Sequence, residues 1–224
     1  MFGGLIDYWY LTNDTTYNDV LMQGLLHQVG PAENYMVPNQ TLTEGNDDQG
    51  FWAFTVMAAA ERKFPNPPEG SPQWLALAQG VFNSMTLRWN TSECAGGLRW
   101  QIFPWNKGYD YKNSISTGCL FHLAARLARY TGNSSYADWA NKVWDWEEGV
   151  GFLDVKRNYT FWDGAGIAGN CSEFSKVQWS YNPSVFLLGS AYMYNYVNDC
   201  LGSTNPRRME VHYGKTERKG LLTE

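Results

Sequence analysis

The stretch "EGNDDQGFWAF", residues 44–54, sets two aspartates side by side between a glycine and an aromatic run. Asn46 and Gln49 stand in capping-box register, which predicts a helix starting near Asp47, and acidic residues in a first turn are favoured by the helix dipole. The apolar residues that follow, from Phe51 toward Arg62, recur at helical rather than strand spacing. On these residues alone, Asp47 and Asp48 are either a solvated helix start or a carboxylate pair displayed where a loop enters a helix.

The same helical spacing recurs through most of the chain. It is clearest in Tyr17, Val20, Leu21, Gly24 and Leu25, in Trp74, Leu77, Ala78, Val81, Phe82 and Met85, and in Leu120, Leu123, Ala124 and Leu127. Weaker instances run from Trp139 to Trp146 and from Val185 to Tyr196. An all-α domain of about seven helices is expected. Its connectors, "FPNPPEGSP" (64–72), "CAGGLRW" (94–100) and "WDGAGIAGNCS" (162–172), carry Gly and Pro that exclude continued helix, and they are rich in Trp, Asn and Asp. Binding residues concentrate on such loops. An internal echo aligns "YLTNDTTYNDV" (10–20) with "YTGNSSYADWA" (130–140), Thr12 over Thr131 and Tyr17 over Tyr136. It reads as a repeated helix–turn–helix corner with no catalytic content.

Eleven Trp, fourteen Tyr and eleven Phe in 224 residues exceed what a small core needs, so some are expected to line a groove. Flat aromatic faces suit sugar rings, although a Trp-rich core would account for them as well. A net charge of −5 disfavours a nucleic-acid partner. No stretch approaches the ~18 consecutive apolar residues of a membrane span, and residues 1–11, "MFGGLIDYWYL", do not have the layout of a signal peptide. N-x-S/T triplets nevertheless begin at Asn13, Asn39, Asn90, Asn133, Asn158 and Asn170, six among eighteen asparagines. Chance would give roughly two, so passage through a glycosylating compartment is expected. Cys94, Cys119, Cys171 and Cys200 form an even set, which fits an oxidising compartment and allows three pairings. No C-x-x-C is present and the histidines are scattered. No metal or cofactor is expected, and His27 and His122 read as packed core residues. "GKT" at 214–216 lacks the preceding glycine of a phosphate-binding loop.

Taken together, "GLIDYWYLTND", "LLHQVGP", "GNDDQGFW", "PQWLALAQ", "GGLRWQIFPWNKGYDYKNSISTGC", "YADWANKVWDW" and "VQWSYNPSVFLLGSAYMYNY" resemble glycoside hydrolase family 76, the endo-α-1,6-mannanases, and within it the fungal cell-wall branch. The resemblance covers residues 1–197 and implies a catalytic domain there. Residues 198–224 form a divergent tail with five of the seventeen basic residues. It implies an (α/α)6 toroid with a groove across one end, incomplete at about seven of twelve helices. It also implies a retaining hydrolase or transglycosidase acting on α-1,6-linked mannan or on the mannose-containing glycan of a GPI anchor. Cell-wall glucan is the implied acceptor, and the implied place is the secretory pathway, cell surface or wall.

By the same resemblance Asp47 is the nucleophile and Asp48 the general acid/base. Neighbours on a helix do not face one way, so the pair is expected at the loop-to-helix junction. The expected sugar contacts are Asn46, Gln49 and Trp52 around the pair, then Arg99 and Trp100 after two glycines. Lys112, Asn113 and Ser116 at a helix start follow, with Gln178, Tyr181 and Asn182 in "QWSYN". Cys94 and Cys119, both inside the matched block, are expected to be bridged, which leaves Cys171 without its family partner. The chain as it stands is expected to fold poorly, with Phe186, Leu187, Tyr192 and Tyr196 short of neighbours. The opposing reading is a non-catalytic glycan-binding module or an inactive fragment; an Asp47→Asn variant would then keep its affinity.

Overall fold

In the computed structural model, which describes residues 1–40 and 43–202, helices dominate. They are α1 (Phe2–Thr12), α2 (Asn18–His27), α3 (Asn46–Glu61), α4 (Trp74–Leu87), α5 (Ser114–Thr131), α6 (Ser134–Val150) and α7 (Tyr181–Gly202). Short strands β1 (Tyr111–Asn113), β2 (Leu153–Asp154), β3 (Thr160–Phe161), β4 (Gly164–Gly166) and β5 (Phe174–Ser175) lie in the connectors. β1, β4 and β5 form one antiparallel sheet in that order, with Lys112 opposite Ala165, and β2 pairs with β3.

α1, α3, α5 and α7 lie side by side and run the same way. Phe2 meets Trp52 and Trp9 meets Phe64 between α1 and the α3 region; Phe54 meets His122 between α3 and α5; Phe121 meets Phe186 between α5 and α7. Close approach needs small residues. A Cβ on Gly50 would lie 2.6 Å from that of Cys119, and one on Gly189 would lie 2.5 Å from the Phe121 ring. α2, α4 and α6 return along the outside, packed on α1, α3 and α5 respectively. α5 is buried from Ser114 to Ala128 because it has neighbours on every side. Alternating inner and outer helices are the plan of the (α/α)6 toroid, and all the inner N-termini open on one end.

The internal echo marks equivalent corners. Thr12 Oγ1 donates to the Tyr8 carbonyl and Thr131 Oγ1 to the Leu127 carbonyl, both at 2.7 Å. The threonine oxygens then accept from the Asp14 and Asn133 N–H groups, and those side chains accept from the Thr16 and Ser135 N–H groups. Each corner turns an inner helix into an outer one. At the far end of the inner ring, Arg126 joins Glu61 at 2.7 Å and the Phe54 carbonyl, while Tyr192 donates to Glu61. That network ties α3, α5 and α7 together.

Three expectations are corrected here. Cys94 is bridged to Cys171, with Cα atoms 5.4 Å apart, and Cys119 is a free buried thiol. Cys119 points into the α3–α5 contact beneath Gly50, whereas the 162–172 loop folds back onto the loop after α4. The bridge joins a small second core of Trp146, Phe152 and Ala165, and Trp146 donates to the Cys94 carbonyl at 2.8 Å. His27 is exposed at the end of α2, although His122 is packed as expected. On α7, Phe186 and Tyr196 are buried, and the exposed large apolar residues among those described are Tyr181, Leu187, Leu188 and Tyr194. α7 itself continues past Val197 to Gly202. Cys200, His212 and the "GKT" triplet fall where side chains lie outside the described residues.

Candidate active site

The first turn of α3 sits at the open end of the inner ring. Its N-cap is Gly45, one residue earlier than the Asn46–Gln49 register predicts, and the Gly45 N–H donates to Asp48 Oδ2 at 2.8 Å. Asp48 therefore supplies the reciprocal half of the cap, as an acidic residue at the third helical position commonly does. Segment 99–101 runs between this turn and the start of α5. It pairs with Gly45 through Gln101 and with Lys112 through Arg99. The Asn46 N–H donates to the Trp100 carbonyl at 2.9 Å, and the Trp100 indole Nε1–H donates to Asp47 Oδ2 at 3.3 Å.

Gly45 is the point on which the pair converges. A Cβ there would lie 2.4 Å from Asp47 Oδ1 and 3.1 Å from Asp48 Oδ2. Those two oxygens are thus no more than 5.5 Å apart, the sum of the two separations. Carboxyl groups in retaining glycosidases lie about 5–5.5 Å apart and in inverting ones about 6.5–9.5 Å. Burial raises Asp47 to about 6 and the neighbouring Asp48 charge adds to this, while the Trp100 hydrogen bond opposes it. Asp48 is exposed. It borders two cavities: one of about 640 Å³ down the concave face of the inner helices, with Phe51, Trp52 and His122, and one of about 400 Å³ with Tyr35, Gln40, Thr43 and Glu44. Trp52 lines both and stacks on Tyr35 at 5.2 Å.

The expected sugar contacts divide sharply. Trp52 and Trp100 stand beside the aspartates, and Trp100 is 39% exposed. Tyr181, at the start of α7, is exposed and stacks on Trp179; burial, then the charges of Asp163 and Asp47, raise its hydroxyl. Gln178 is exposed on the same segment. The others are largely buried; loop or helix backbone engages Lys112, Asn113, Arg99, Asn46 and Gln49, whereas the Asn182 amide and the Ser116 hydroxyl are buried without a hydrogen-bond partner among the described residues. Lys112 is fully buried and donates to the carbonyls of Asn90, Glu93 and Gly96 at 2.6–2.8 Å, and its burial lowers it to about 8. Asn113 caps α5 by accepting from the Ser116 N–H, and the Ser114 N–H is taken by the Asp163 carbonyl. Ser116 is buried behind that helix end, and its hydroxyl makes no hydrogen bond among the described residues.

Arg99 is likewise engaged, donating to the Tyr109 carbonyl, pairing with Glu93 at 3.3 Å and lying over the Tyr109 ring. Asn46, Gln49 and Asn182 are buried. Asn46 Nδ2 donates to the Arg99 carbonyl at 2.8 Å and Gln49 Nε2 to the Asn34 carbonyl at 2.7 Å. Sequence reasoning missed Glu44, Arg88, Asp163 and Trp179. Glu44 is buried beside Asp48; burial first, then the Asp48 charge, raises it to about 7, against the pull of Arg88. Asp163 accepts from the Tyr111 hydroxyl at 2.9 Å. Its place in "WDGAG", a Trp-Asp pair in a glycine-rich loop, was the available signal.

All six N-x-S/T asparagines are exposed or partly exposed, and all lie in loops or at helix ends. Among the described residues no helix is long and apolar enough to cross a membrane.

Comparison with known proteins adds four results. The model of Glycosyl hydrolase family 76 matches residues 1–201. The mannan endo-1,6-alpha-mannosidase DCW1 of Candida glabrata is 58% identical over 193 residues, which are 86% of this chain and 43% of that protein. The crystal structure of Dfg5 from Chaetomium thermophilum in complex with glucosamine superposes with a TM-score of 0.85 at 51% identity, over 88% of this chain and 48% of that one. An alpha-mannanase of Bacteroides thetaiotaomicron shares the fold at 19% identity, with a TM-score of 0.68 over 89% of this chain and 55% of its own. The chain thus spans less than half the length of the curated relative it matches.

Proposed function

The chain belongs to glycosyl hydrolase family 76, and from that premise we propose that it carries the catalytic pair of a retaining α-1,6-mannosidase or transglycosidase, with Asp47 as nucleophile and Asp48 as general acid/base. The observation that carries this reading is the 5.5 Å bound on Asp47 Oδ1 and Asp48 Oδ2 at Gly45, which is short of the about 6.5–9.5 Å typical of inverting enzymes and supports a retaining pair. The DCW1 relative is a mannan endo-1,6-alpha-mannosidase, which supports α-1,6-linked mannan as substrate; the mannose-containing glycan of a GPI anchor is included in the proposal on the family resemblance alone.

In the first step the Asp47 carboxylate forms a bond to the anomeric carbon while the bond to the leaving oxygen breaks and Asp48 gives that oxygen its proton. In the second, Asp48 takes a proton from water or from a sugar hydroxyl, whose oxygen displaces Asp47. Water yields hydrolysis; a hydroxyl of cell-wall glucan yields transfer. Positive charge growing on the sugar ring above Asp47 favours its ionised form there, against the burial that raises it in the free protein. Trp100 and Tyr181 are exposed aromatic rings near the pair, and Trp52 lines the two cavities that Asp48 borders.

A secreted or cell-surface setting is part of the proposal, supported by the exposed or partly exposed asparagines of the N-x-S/T triplets and the Cys94–Cys171 bridge. The catalytic domain is proposed to run through the end of α7, a few residues past the 197 that the resemblance covers, with the remainder a tail. The test is incubation with α-1,6-linked mannan oligosaccharides followed by product analysis, on this chain and on a version extended at each end. Turnover that disappears in Asp47→Asn supports the reading. Sugar binding that persists in Asp47→Asn, with no turnover in any form, replaces it with a glycan-binding module.

A further inference from the structure

The aspartates are held by the helix that carries them, and a first helical turn is its least secure part, because its N–H groups have no partners within the helix. At 100° per residue, positions 46 and 49 lie on one face, and positions 47 and 48 project to either side of the opposite one. Fixing 46 and 49 therefore fixes the rotation of 47 and 48 about the helix axis. Both fixed side chains are amides, and each is held at its donor end by a backbone carbonyl, Arg99 for Asn46 and Asn34 for Gln49. A single cation holds both acceptor ends. Arg88 Nε donates to Asn46 Oδ1 at 2.8 Å and an Arg88 Nη2 hydrogen bond reaches Gln49 Oε1.

Arg88 comes from the C-terminal cap of α4, which runs antiparallel to α3 and so delivers its last residue behind the first turn of α3. It borders the roughly 440 Å³ cavity that also meets Asn46, Arg99 and Gln101, on a side of the turn where neither aspartate appears. We propose that Arg88 is a positioning residue for the Asp47–Asp48 pair: its fork sets the rotational register of the first turn of α3 and thereby the aim of both carboxylates. The inference rests on the mannosidase reading for its effect on rate, and on geometry alone for its effect on Asp47. Planar bidentate geometry is what a lysine lacks.

The experiment compares the natural protein with Arg88→Met, Arg88→Lys and Asp47→Asn, using an α-1,6-linked mannan oligosaccharide and normalising to folded protein. Arg88→Met is expected to lower kcat by about 10- to 100-fold, with KM within about twofold, and Arg88→Lys to fall between it and the parent. A second readout needs no turnover: the indole N–H resonance of Trp100, assigned with Trp100→Phe, reports its bond to Asp47 and is expected to move toward a free indole in Arg88→Met. Should Arg88→Met not fold, Asn46→Ala removes one arm of the fork and is expected to move both readouts in the same direction. Unchanged kcat together with an unmoved Trp100 resonance overturns the role of Arg88. Turnover that survives Asp47→Asn overturns the functional reading instead, and the Trp100 resonance then decides Arg88 by itself.

Discussion

The indole N–H of Trp100 donates to Asp47 Oδ2 across the mouth of the site, at 3.3 Å, from a segment whose own backbone is bonded to the first turn of α3. The bond favours the ionised carboxylate and opposes the burial that raises Asp47 to about 6. Trp100→Phe removes it, so Asp47 will titrate higher. Because a nucleophile must be ionised, activity falls as pH drops through its value, and the acid limb of the pH–rate profile will move to higher pH. A rate loss of about tenfold at neutral pH is expected, the equivalent of one hydrogen bond. A profile with an unmoved acid limb would separate Trp100 from Asp47.

Gly45→Ala tests the close approach of the carboxylates. The Gly45 backbone, at φ −94° and ψ 164°, is open to any residue, so no conformational strain enters. The added methyl meets Asp47 Oδ1 at 2.4 Å and the Trp100 carbonyl at 3.0 Å. The carboxylate must turn away, and kcat is expected to fall about 100-fold with helical circular dichroism preserved. Near-normal kcat in a folded Gly45→Ala protein would mean that the pair does not work in the geometry described.

Non-reducing peptide mapping checks the cysteines. It should recover the Cys94 and Cys171 peptides as one linked species and Cys119 as a thiol that alkylates only after unfolding, since it is fully buried. Replacing Cys94 and Cys171 together by serine is expected to cost about 2–5 kcal/mol, read from denaturant melts. A Cys94–Cys119 peptide would contradict the arrangement.

Glu147 on α6 is fully buried, and burial raises it to about 8. Its folded value lies above its unfolded one, so its contribution is fully favourable below the ordinary value of 4.5 and is lost as pH rises through about 8. Glu147→Gln is uncharged throughout. It is expected to match the parent near pH 4 and to exceed it by roughly 2–4 kcal/mol at pH 7. Parallel stability–pH curves for the two proteins would refute this.

Much of the fold was legible because helical spacing is dense in the chain, and the Thr12/Thr131 echo marks two matching corners in the sequence itself. The aspartate pair stood out as adjacent acids before an aromatic helix, but that local signal left a helix start and a displayed carboxylate pair both open, and its proposed roles came from the family resemblance. What sequence could not give was direction. Lys112, Asn113 and Ser116 have the chemistry of sugar ligands, but three backbone carbonyls hold the Lys112 ammonium and Asn113 is used to cap α5. Arg88 escaped notice because its partners lie 39 and 42 positions away, and the Cys94–Cys171 pairing because it depends on a loop folding back over a separation of 77.

The central claim is that Asp47 and Asp48 act as a double-displacement pair. Time-resolved proton NMR of the first product released from an α-1,6-linked mannan oligosaccharide reads it directly, before mutarotation mixes the anomers. Two displacements at one carbon restore its configuration, so the account predicts the α-anomer first, together with an α-linked product when a sugar hydroxyl is the acceptor. A β-anomer appearing first would show a single displacement by water and would contradict it.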